Sequence, residues 1–240
     1  MVNVNVLASG SKGNCTALIF GKVTILLDAG IGFDRLQQAL NFENPAACLI
    51  THEHGDHVNK NTLNELLTRG VEVYMTKGTA NALQLEPSHR LKIIESKIAY
   101  DLDNKNHIWF YATPSVHDAA EPVYFTIHFS TETVSYITDT NYLPTFDTLP
   151  RYLIIEANHS TADLINAPID QRQKQRILNN HLAIEKVLPY IETNLSNQLT
   201  EVHLIHISKR HGDAEKFKQM VQAVVSDKVK AFAHWEGKAA

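Results

Sequence analysis

Residues 47–57 read Ala-Cys-Leu-Ile-Thr-His-Glu-His-Gly-Asp-His, and the interpretation of the whole chain starts from them. The first five residues form a short apolar run typical of a buried strand. The rest contain four potential metal ligands: His52, His54, Asp56 and His57. In an extended segment alternate side chains point to the same side, so the first two ligands form a pair. Gly55 permits a turn that would bring the other two to a second position close by.

Two ligand pairs in one loop suit two metal ions about 3.5–4 Å apart, as in two-metal hydrolytic sites. The alternative is a polar loop that is rich in histidine and binds no metal. Clustering three imidazoles and a carboxylate without an ion would cost desolvation and repulsion between protonated rings. We therefore favour the metal site.

The composition agrees with a folded protein that has an unusual supply of histidine. The chain has 240 residues, of which 44% are hydrophobic and 20% charged, so a disordered chain is excluded. Its 13 histidines outnumber its 10 glycines. The net charge of -4 excludes a globally basic nucleic-acid binder but allows a local basic patch. No apolar stretch approaches the ~20 residues of a membrane span. Two cysteines, Cys15 and Cys48, are too few for a disulfide scaffold and indicate a cytoplasmic location.

Strand and helix patterns are mixed along the whole chain, which predicts one α/β domain over residues 1–240. Strands are expected first, at Val2–Leu7, Thr16–Phe20 and Val23–Leu27. In Tyr124–Phe129 the alternation of residue types predicts that one face is buried. Asp170–Ile191 is expected to be helical, with a break or kink before Pro189.

Three later residues each stand at or just past the end of an apolar strand, where a loop can face a shared pocket: His117, Asp139 and His206. Taken singly, each is more simply a hydrogen-bonded structural residue. The His-x-His-x-Asp-His arrangement resembles the signature of the metallo-β-lactamase superfamily, in which a further His, Asp and His follow from later strand ends. His117, Asp139 and His206 match these three in order, so the resemblance implies a set of seven ligands. Asp28 in Leu26-Leu27-Asp28-Ala29-Gly30 looks like the family residue that orients a ligand histidine.

This resemblance implies a fold and a ligand set. The fold would be of the α/β (α+β) class, an αββα sandwich of two mixed β-sheets flanked by helices. One ion would be held by His52, His54 and His117. The other would be held by Asp56, His57 and His206, with Asp139 bridging the two. Imidazole and carboxylate ligands suit Zn²⁺ and also Mn²⁺, so two divalent metal ions of either kind are expected.

Four further segments resemble, in this order, motifs of the YycJ/WalJ-like branch of the superfamily. They are Ser9-Gly10-Ser11-Lys12-Gly13-Asn14-Cys15, Glu156-Ala157-Asn158-His159-Ser160, Asn180-His181-Leu182 and His206-Ile207-Ser208-Lys209-Arg210-His211. They are also similar to motifs of RNase Z-type phosphodiesterases. The chain departs from the branch at Asn180, Ala183 and Ser160, where the branch has Gly, Ser and Asp. Both resemblances imply phosphodiester hydrolysis, and the first implies a 5′-exonuclease acting on DNA.

The implied mechanism assigns roles to a few residues. A metal-bound hydroxide would attack the phosphorus, oriented by Asp56. His181, steered by Glu156, would act as general acid. Substrate contacts are expected from Ser11, Asn14, His159, Lys209 and Arg210. Simpler alternatives remain open, because the Gly/Ser loop also suits a plain hairpin turn and His159 and His181 also suit surface or capping positions.

Other functions are compatible with the same fold. The first alternative is a hydrolase of a small ester, lactone, thioester or cyclic phosphodiester. A di-iron oxygen-reducing enzyme is disfavoured, because that branch resembles His-x-Glu-x-Asp and here the second position is His54. A non-catalytic metal-dependent binding protein would require a broken ligand set, and all seven positions are present. DNA is the expected partner and no membrane is; the sequence leaves the oligomeric state open.

Overall fold

Two β-sheets form the frame of the computed structural model, which describes residues 1–41, 43–143, 145–146 and 148–235. In the first sheet the strands follow one another in chain order. They are β1 (Asn3–Ala8), β2 (Cys15–Phe20), β3 (Val23–Leu27), β4 (Ala47–Leu49), β5 (Glu72–Thr76) and β6 (Leu91–Ile94). Strands β1 to β3 pair antiparallel, and β3 to β6 pair parallel.

The second sheet has the order β13-β12-β11-β10-β9-β8-β7. Its strands are β7 (Ala99–Asp103), β8 (Ile108–Pro114), β9 (Val123–Phe129), β10 (Glu132–Ile137), β11 (Tyr152–Glu156), β12 (Glu201–Ile205) and β13 (Lys230–Ala233). Strands β7 to β10 are antiparallel, whereas β10 to β13 are parallel. As a result β8, β10, β11 and β12 all end at the same edge of the sheet.

Helices cover the outer faces of both sheets. They are α1 (Phe33–Ala39), α2 (Lys60–Thr68), α3 (Lys77–Ala82), α4 (Thr161–Asn166), α5 (Gln171–Asn180), α6 (Ile184–Thr193) and α7 (Ala214–Val224). Helix α2 packs on β5, and α7 packs on β12 and β13. Among the described residues, no helix has both the length and the apolar character needed to cross a membrane.

The core has three layers because the central strands are apolar on both faces. In β3, Ile25 and Leu27 face the layer between the sheets, and Leu26 faces the layer beneath α1 and α2. In β11, Ile154 faces the layer between the sheets and Ile155 faces the layer beneath α6 and α7. Strands buried on both faces require cover on both sides. The expected arrangement of two mixed sheets flanked by helices is therefore confirmed.

Two local expectations differ from the structure. In β9 the residues assigned to the open face, Tyr124 and Thr126, are buried, and only His128 is half-buried. Helix α4 was not expected from the sequence.

The expected helix over 170–191 is interrupted at His181–Ala183 and not before Pro189, which lies inside α6. The interruption has a tertiary cause. The Leu182 N–H donates to the Glu156 carboxylate at 3.2 Å, and the Leu182 carbonyl accepts from the Asn158 N–H at 2.9 Å. Contacts from β11 and the residues after it thus take backbone groups that a continuous helix would use.

A buried histidine pair lies beside β12, away from the loop motif. His203 Nδ1 is 3.1 Å from His234 Nε2, and His203 Nε2 is 2.9 Å from the Glu201 carboxylate. Burial, together with the nearby His203, lowers the pKa of His234 to about 4. His234 is therefore neutral in the folded protein at pH 7, whereas an unfolded chain would take up a proton below about pH 6.5.

We predict that His234→Phe makes the metal-free protein less sensitive to acid. The folded pKa lies below the unfolded value, so the unfolded state binds more protons and stability falls as the pH drops from about 6.5 towards 4. Removing the group removes this contribution. The free energy of unfolding, measured by denaturant titration at pH 7 and pH 5, should fall less in the variant than in the wild type. His89→Phe, at an exposed position, is the control; equal losses in all three proteins would contradict the prediction.

Candidate metal centre

The predicted ligands meet at one edge of the two sheets. The loop after β4 brings His52, His54, Asp56 and His57 from the first sheet. His117 follows β8, Asp139 follows β10 and His206 follows β12, at the edge where these three strands end together. Their donor atoms form two groups, each with all ligand atoms within 4.8 Å of one another: His52, His54, His117 and Asp139, and Asp56, His57, Asp139 and His206.

In the first group three imidazoles surround one carboxylate oxygen. His54 Nδ1 lies 3.2 Å from His52 Nε2 and 3.2 Å from His117 Nε2. Asp139 Oδ2 lies 3.6 Å from His52 Nε2 and 3.4 Å from His117 Nε2. Two ligands at 2.0–2.1 Å from a tetrahedral ion are about 3.4 Å apart, so these atoms fit around one divalent ion.

The second group shares the same carboxylate. Asp139 Oδ2 is 3.3 Å from His57 Nε2, which is 3.6 Å from Asp56 Oδ2. His206 Nε2 is 3.3 Å from the same Asp56 oxygen. Since Asp139 Oδ2 belongs to both groups, it stands where a bridging ligand between two ions would stand.

The charges around the cluster favour a cation. Asp28, Asp139 and Glu156 are buried carboxylates that each contact at least one histidine. Burial alone would lower the pKa of His57, but Asp139 and Asp28 outweigh it and raise the pKa to about 10. These carboxylates thus stabilise positive charge at His57, as expected of a negatively charged pocket that favours cations.

Several ligands have their second nitrogen fixed by a partner outside the cluster. Asp28 Oδ2 is 2.8 Å from His57 Nδ1, and it also accepts from the Tyr136 hydroxyl at 2.9 Å. The other Asp28 oxygen accepts from the Thr51 N–H at 2.8 Å. His117 Nδ1 is 3.2 Å from the Asn180 carbonyl. Such contacts set the tautomer and leave Nε2 to face the cluster.

Left-handed backbone occurs at three residues of the centre. Asp28, Asp139 and His206 have φ values of 59°, 45° and 53°. This conformation is costly for residues other than glycine and persists only where the surroundings hold it. The His206 N–H donates to Ser9 Oγ at 2.7 Å, and the His206 carbonyl accepts from Asn158 Nδ2 at 2.9 Å. The backbone of Asp139 is held by Ser115, whose hydroxyl donates to its carbonyl at 2.9 Å.

The Gly/Ser loop supports the metal loop from behind. The Asn14 N–H donates to the Asp56 carbonyl at 2.7 Å, and Asn14 Nδ2 lies 3.3 Å from Asp56 Oδ2. The Gly30 N–H donates to the Asn14 carbonyl at 2.9 Å. A Cβ on Gly30 would lie 1.8 Å from the Asp56 carbonyl oxygen, so only glycine fits there. Gly55, in contrast, has open space around its Cβ position and no left-handed φ, so the turn does not require glycine there.

A carboxylate connects the cluster to a further histidine. Glu156 Oε1 is 2.8 Å from His206 Nδ1 and 2.7 Å from His181 Nδ1. Burial tends to lower the pKa of His181, but the Glu156 carboxylate outweighs it and raises the pKa above its usual range. The ring is thus held by Nδ1, and Nε2 has no hydrogen-bond partner among the described residues.

A cavity of about 290 Å³ opens over the cluster. Of the predicted site residues it is lined by Ser11, His54, Asp56, His117, Asp139, His181, His206 and Lys209. His52, His57 and Glu156 are buried below it. Asn14 and His159 are also buried and do not line it, and neither does the exposed Arg210, so substrate contact by these three stays a prediction.

His159 is fully buried, and neither ring nitrogen has a hydrogen-bond partner in the described part of the chain. Burial lowers its pKa to about 4, so the ring is neutral at pH 7.

The cavity is also lined by residues that the sequence did not assign to the site: Asn158, Arg176, Ile177, Ile207, Ser208 and His211. Arg176 pairs with Asp118 at 2.9 Å, and 69% of its side chain remains exposed. Its position five residues before His181 on α5 is its one signal in the sequence. The other five residues lie within or next to the motifs described above.

A comparison with known protein families matches residues 23–207 to the beta-lactamase superfamily domain. This match covers well over half of the chain. The chain belongs to the β-lactamase superfamily. The expectation of a metal-dependent hydrolase agrees with membership of this superfamily.

Curated relatives from the superfamily span nearly the whole chain. Exodeoxyribonuclease WalJ of Streptococcus pneumoniae is 28% identical over 233 residues, covering 88% of this chain and 83% of its own. Exodeoxyribonuclease YycJ of Bacillus anthracis is 26% identical over 246 residues, covering 95% and 90%. Among solved structures, the metallo-beta-lactamase fold protein YhfI from Bacillus subtilis has a TM-score of 0.74 at 16% identity, covering 98% and 96%. At that identity the last similarity establishes the fold alone.

We predict that Gly30→Ala destabilises the protein and disturbs the metal loop, because the new Cβ would collide with the Asp56 carbonyl. Overpacking of this kind costs about 1–3 kcal/mol. Denaturant unfolding measures the loss, and elemental analysis after dialysis measures the retained metal. Gly55→Ala is the matched control, since it lies in the loop itself and has room for a methyl group. A Gly30→Ala protein as stable and as metal-rich as this control would contradict the close approach.

Proposed function

We propose that the protein is a phosphodiesterase that uses two divalent metal ions, and that its substrate is DNA. The observation that carries the proposal is the pair of ligand groups sharing Asp139, with His181 held by Glu156 at the same cavity. The two curated relatives named exodeoxyribonucleases, at 28% and 26% identity, support DNA as the substrate and exonuclease action from the 5′ end as the mode.

The proposed ligand sets follow the two groups. One ion would be held by His52, His54 and His117 and the other by Asp56, His57 and His206, with Asp139 available to both. The ligand types suit Zn²⁺ and Mn²⁺ equally. When bound, such ions lower the pKa of water and stabilise negative charge on a phosphate.

The chain's own residues complete the reaction. Asp56, whose side chain is 21% exposed at the cavity, orients the attacking water. The Glu156 carboxylate accepts from His181 Nδ1 and raises the pKa of His181, which favours the doubly protonated ring. His181 then donates its Nε2 proton to the departing alkoxide oxygen and keeps the proton on Nδ1. Glu156 is therefore a positioning residue, and its contact with His206 couples the acid to the metal ligands.

Basic side chains at the cavity supply the contacts for the DNA backbone. Lys209 lines the cavity and also lines an adjoining one of about 240 Å³, together with Lys12 and Arg35. No carboxylate is found among the described residues that line this adjoining cavity. Ser11 and Lys209 are thus placed for substrate phosphates, and we keep Asn14, His159 and Arg210 as further candidates. A local patch of this kind overcomes the net charge of -4.

Two wider features belong to the proposal. The chain acts as a single domain over residues 1–240. Its location is the cytoplasm, in agreement with two free, buried cysteines, Cys15 and Cys48.

The test is hydrolysis of end-labelled duplex DNA by protein of known metal content, beside bis-p-nitrophenyl phosphate, a β-lactam and a thioester. We expect release of nucleotides from the 5′ end, loss of activity with chelator, and recovery with Zn²⁺ or Mn²⁺. Asp56→Asn should retain less metal and lose turnover on both phosphodiesters. Turnover of the thioester or β-lactam alone would replace this proposal with the small-substrate alternative.

His181→Gln should give a distinct kinetic result. With DNA, whose leaving alkoxide needs a proton, we expect kcat to fall about 10²–10⁴-fold. With bis-p-nitrophenyl phosphate, whose leaving group is stable as an anion, the fall should be far smaller. Metal content should stay unchanged, because His181 is not assigned to either ion. Equal losses on the two substrates would remove His181 from the role of general acid.

Lys209→Gln should weaken DNA binding in a salt-dependent way. Each phosphate contact contributes about 0.7–0.9 to the slope of log affinity against log salt, so losing one flattens the slope by that amount. Binding is measured by fluorescence anisotropy in metal-free protein to prevent cleavage. Lys22→Gln, in the β2–β3 turn at the opposite end of those strands from Asp28, is the control. An unchanged slope in the Lys209 variant would remove this residue from the interface.

A further inference from the structure

A third cavity, which we call the aromatic groove, lies on the outer face of β7, β8 and β9. Its volume is about 510 Å³, and it plays no part in the ligand cluster. Five aromatic side chains line it: Trp109, Tyr111, Tyr124, Tyr142 and Phe146. Such a concentration of rings on an open sheet face is more than a solvated surface needs.

The rings are arranged as flat surfaces. Trp109 stacks on His128 with centroids 3.8 Å apart and planes 6° apart, so its position is fixed from one side. Tyr111 follows on the same face, with its centroid 6.2 Å from that of Trp109. Tyr142 stands at the groove with 61% of its surface exposed. Trp109 therefore presents a ring held in place, and Tyr142 an exposed ring, on which another planar group can stack.

The aromatic groove begins next to the metal centre. Pro114 of the groove is three residues before His117, and Tyr142 of the groove is three residues after Asp139. Three residues span at most about 11 Å, so the groove starts within that distance of the ligand backbone. The two connecting loops are tied together, because the Asn141 N–H donates to the Val116 carbonyl at 3.0 Å. The link between groove and ligands is therefore fixed.

The charge of the groove suits an anionic chain. Lys97 is the charged side chain among its described lining residues, and no carboxylate is found there. The hydroxyl of the half-buried Thr113 adds a polar group beside the rings. Apolar rings, a hydroxyl and a cation together match a nucleobase attached to a phosphodiester.

We propose that the aromatic groove binds unpaired bases of a single-stranded nucleic acid whose scissile bond lies at the metal centre. The identity of the strand rests on the proposed function. At about 3.4 Å per stacked nucleotide, the groove would begin at most about three nucleotides from the cleaved bond. Stacking on aromatic side chains tolerates any base, because every base has a π face.

The test uses Trp109 as a reporter. The chain has two tryptophans, so Trp235→Phe leaves Trp109, in the groove, as the single indole. Metal-free Trp235→Phe protein in chelator is titrated with a ten-nucleotide oligothymidylate and with an abasic oligomer of the same length and charge. We expect quenching by the first, and affinity at least about fivefold weaker for the second, since stacking contributes about 1–3 kcal/mol per base.

A second variant tests the exposed ring without risk to folding. Tyr142→Ala in the same background should bind the oligothymidylate at least about fivefold more weakly. Ile165→Ala, at a position 59% exposed and outside the groove, should bind it as the parent does. All these proteins should hydrolyse bis-p-nitrophenyl phosphate at the parent rate when loaded with metal, because that substrate does not reach the groove.

Three results would overturn the inference. Trp109 fluorescence could fail to change with the oligothymidylate, or the abasic oligomer could bind equally well. Trp109 fluorescence could also change with protein concentration while analytical sedimentation shows a dimer. The last would mean that a second copy of the chain covers the groove. Failure of the proposed function looks different, since it would abolish phosphodiester hydrolysis while leaving oligothymidylate binding and its dependence on bases intact.

Discussion

The carboxylate of Asp139 is the point at which both sheets meet. Its Oδ2 atom lies within 3.6 Å of nitrogens from His52, His57 and His117, and its Oδ1 atom is 2.9 Å from His206 Nδ1. A buried carboxylate so placed is stable only if cations or protons surround it. Three features meet this requirement: the positions of the four histidines, the left-handed backbone at Asp139, and the loop contacts that fix that backbone.

Around this carboxylate the protein fixes three of the histidines from behind. Asp28 holds His57, Glu156 holds His206, and the Asn180 carbonyl holds His117. These partners come from β3, β11 and the end of α5, so the elements that orient the ligands differ from those that carry them. Residues far apart in the sequence therefore have to be in place before the cluster forms. Glu156 contacts both the ligand His206 and the neighbouring His181.

The sequence predicted the seven members of the cluster because their signal is local: a dense loop motif, then single residues at the ends of apolar strands. The layered fold followed from a family resemblance, since strand patterns alone gave only mixed α/β. The predictions that were wrong concern features that depend on contacts between distant segments. The break at His181–Ala183 exists because Glu156 and Asn158 bind its backbone, and no propensity in α5 records that. Likewise Tyr124 and Thr126 are buried although the alternation in β9 predicts an open face.

Because the proposed ligands come from both sheets, an ion bound to them would connect segments that are far apart in the sequence. Asp56 and His206, 150 residues apart, would be joined through one ion, so the bound metal closes a loop containing most of the chain. Because the unfolded chain has no preformed site, such an ion would stabilise the folded state alone. It would act as a reversible cross-link whose contribution to stability grows with the free metal concentration. The lifetime of this protein in a metal-poor environment would be governed by metal supply as much as by the packing of its core.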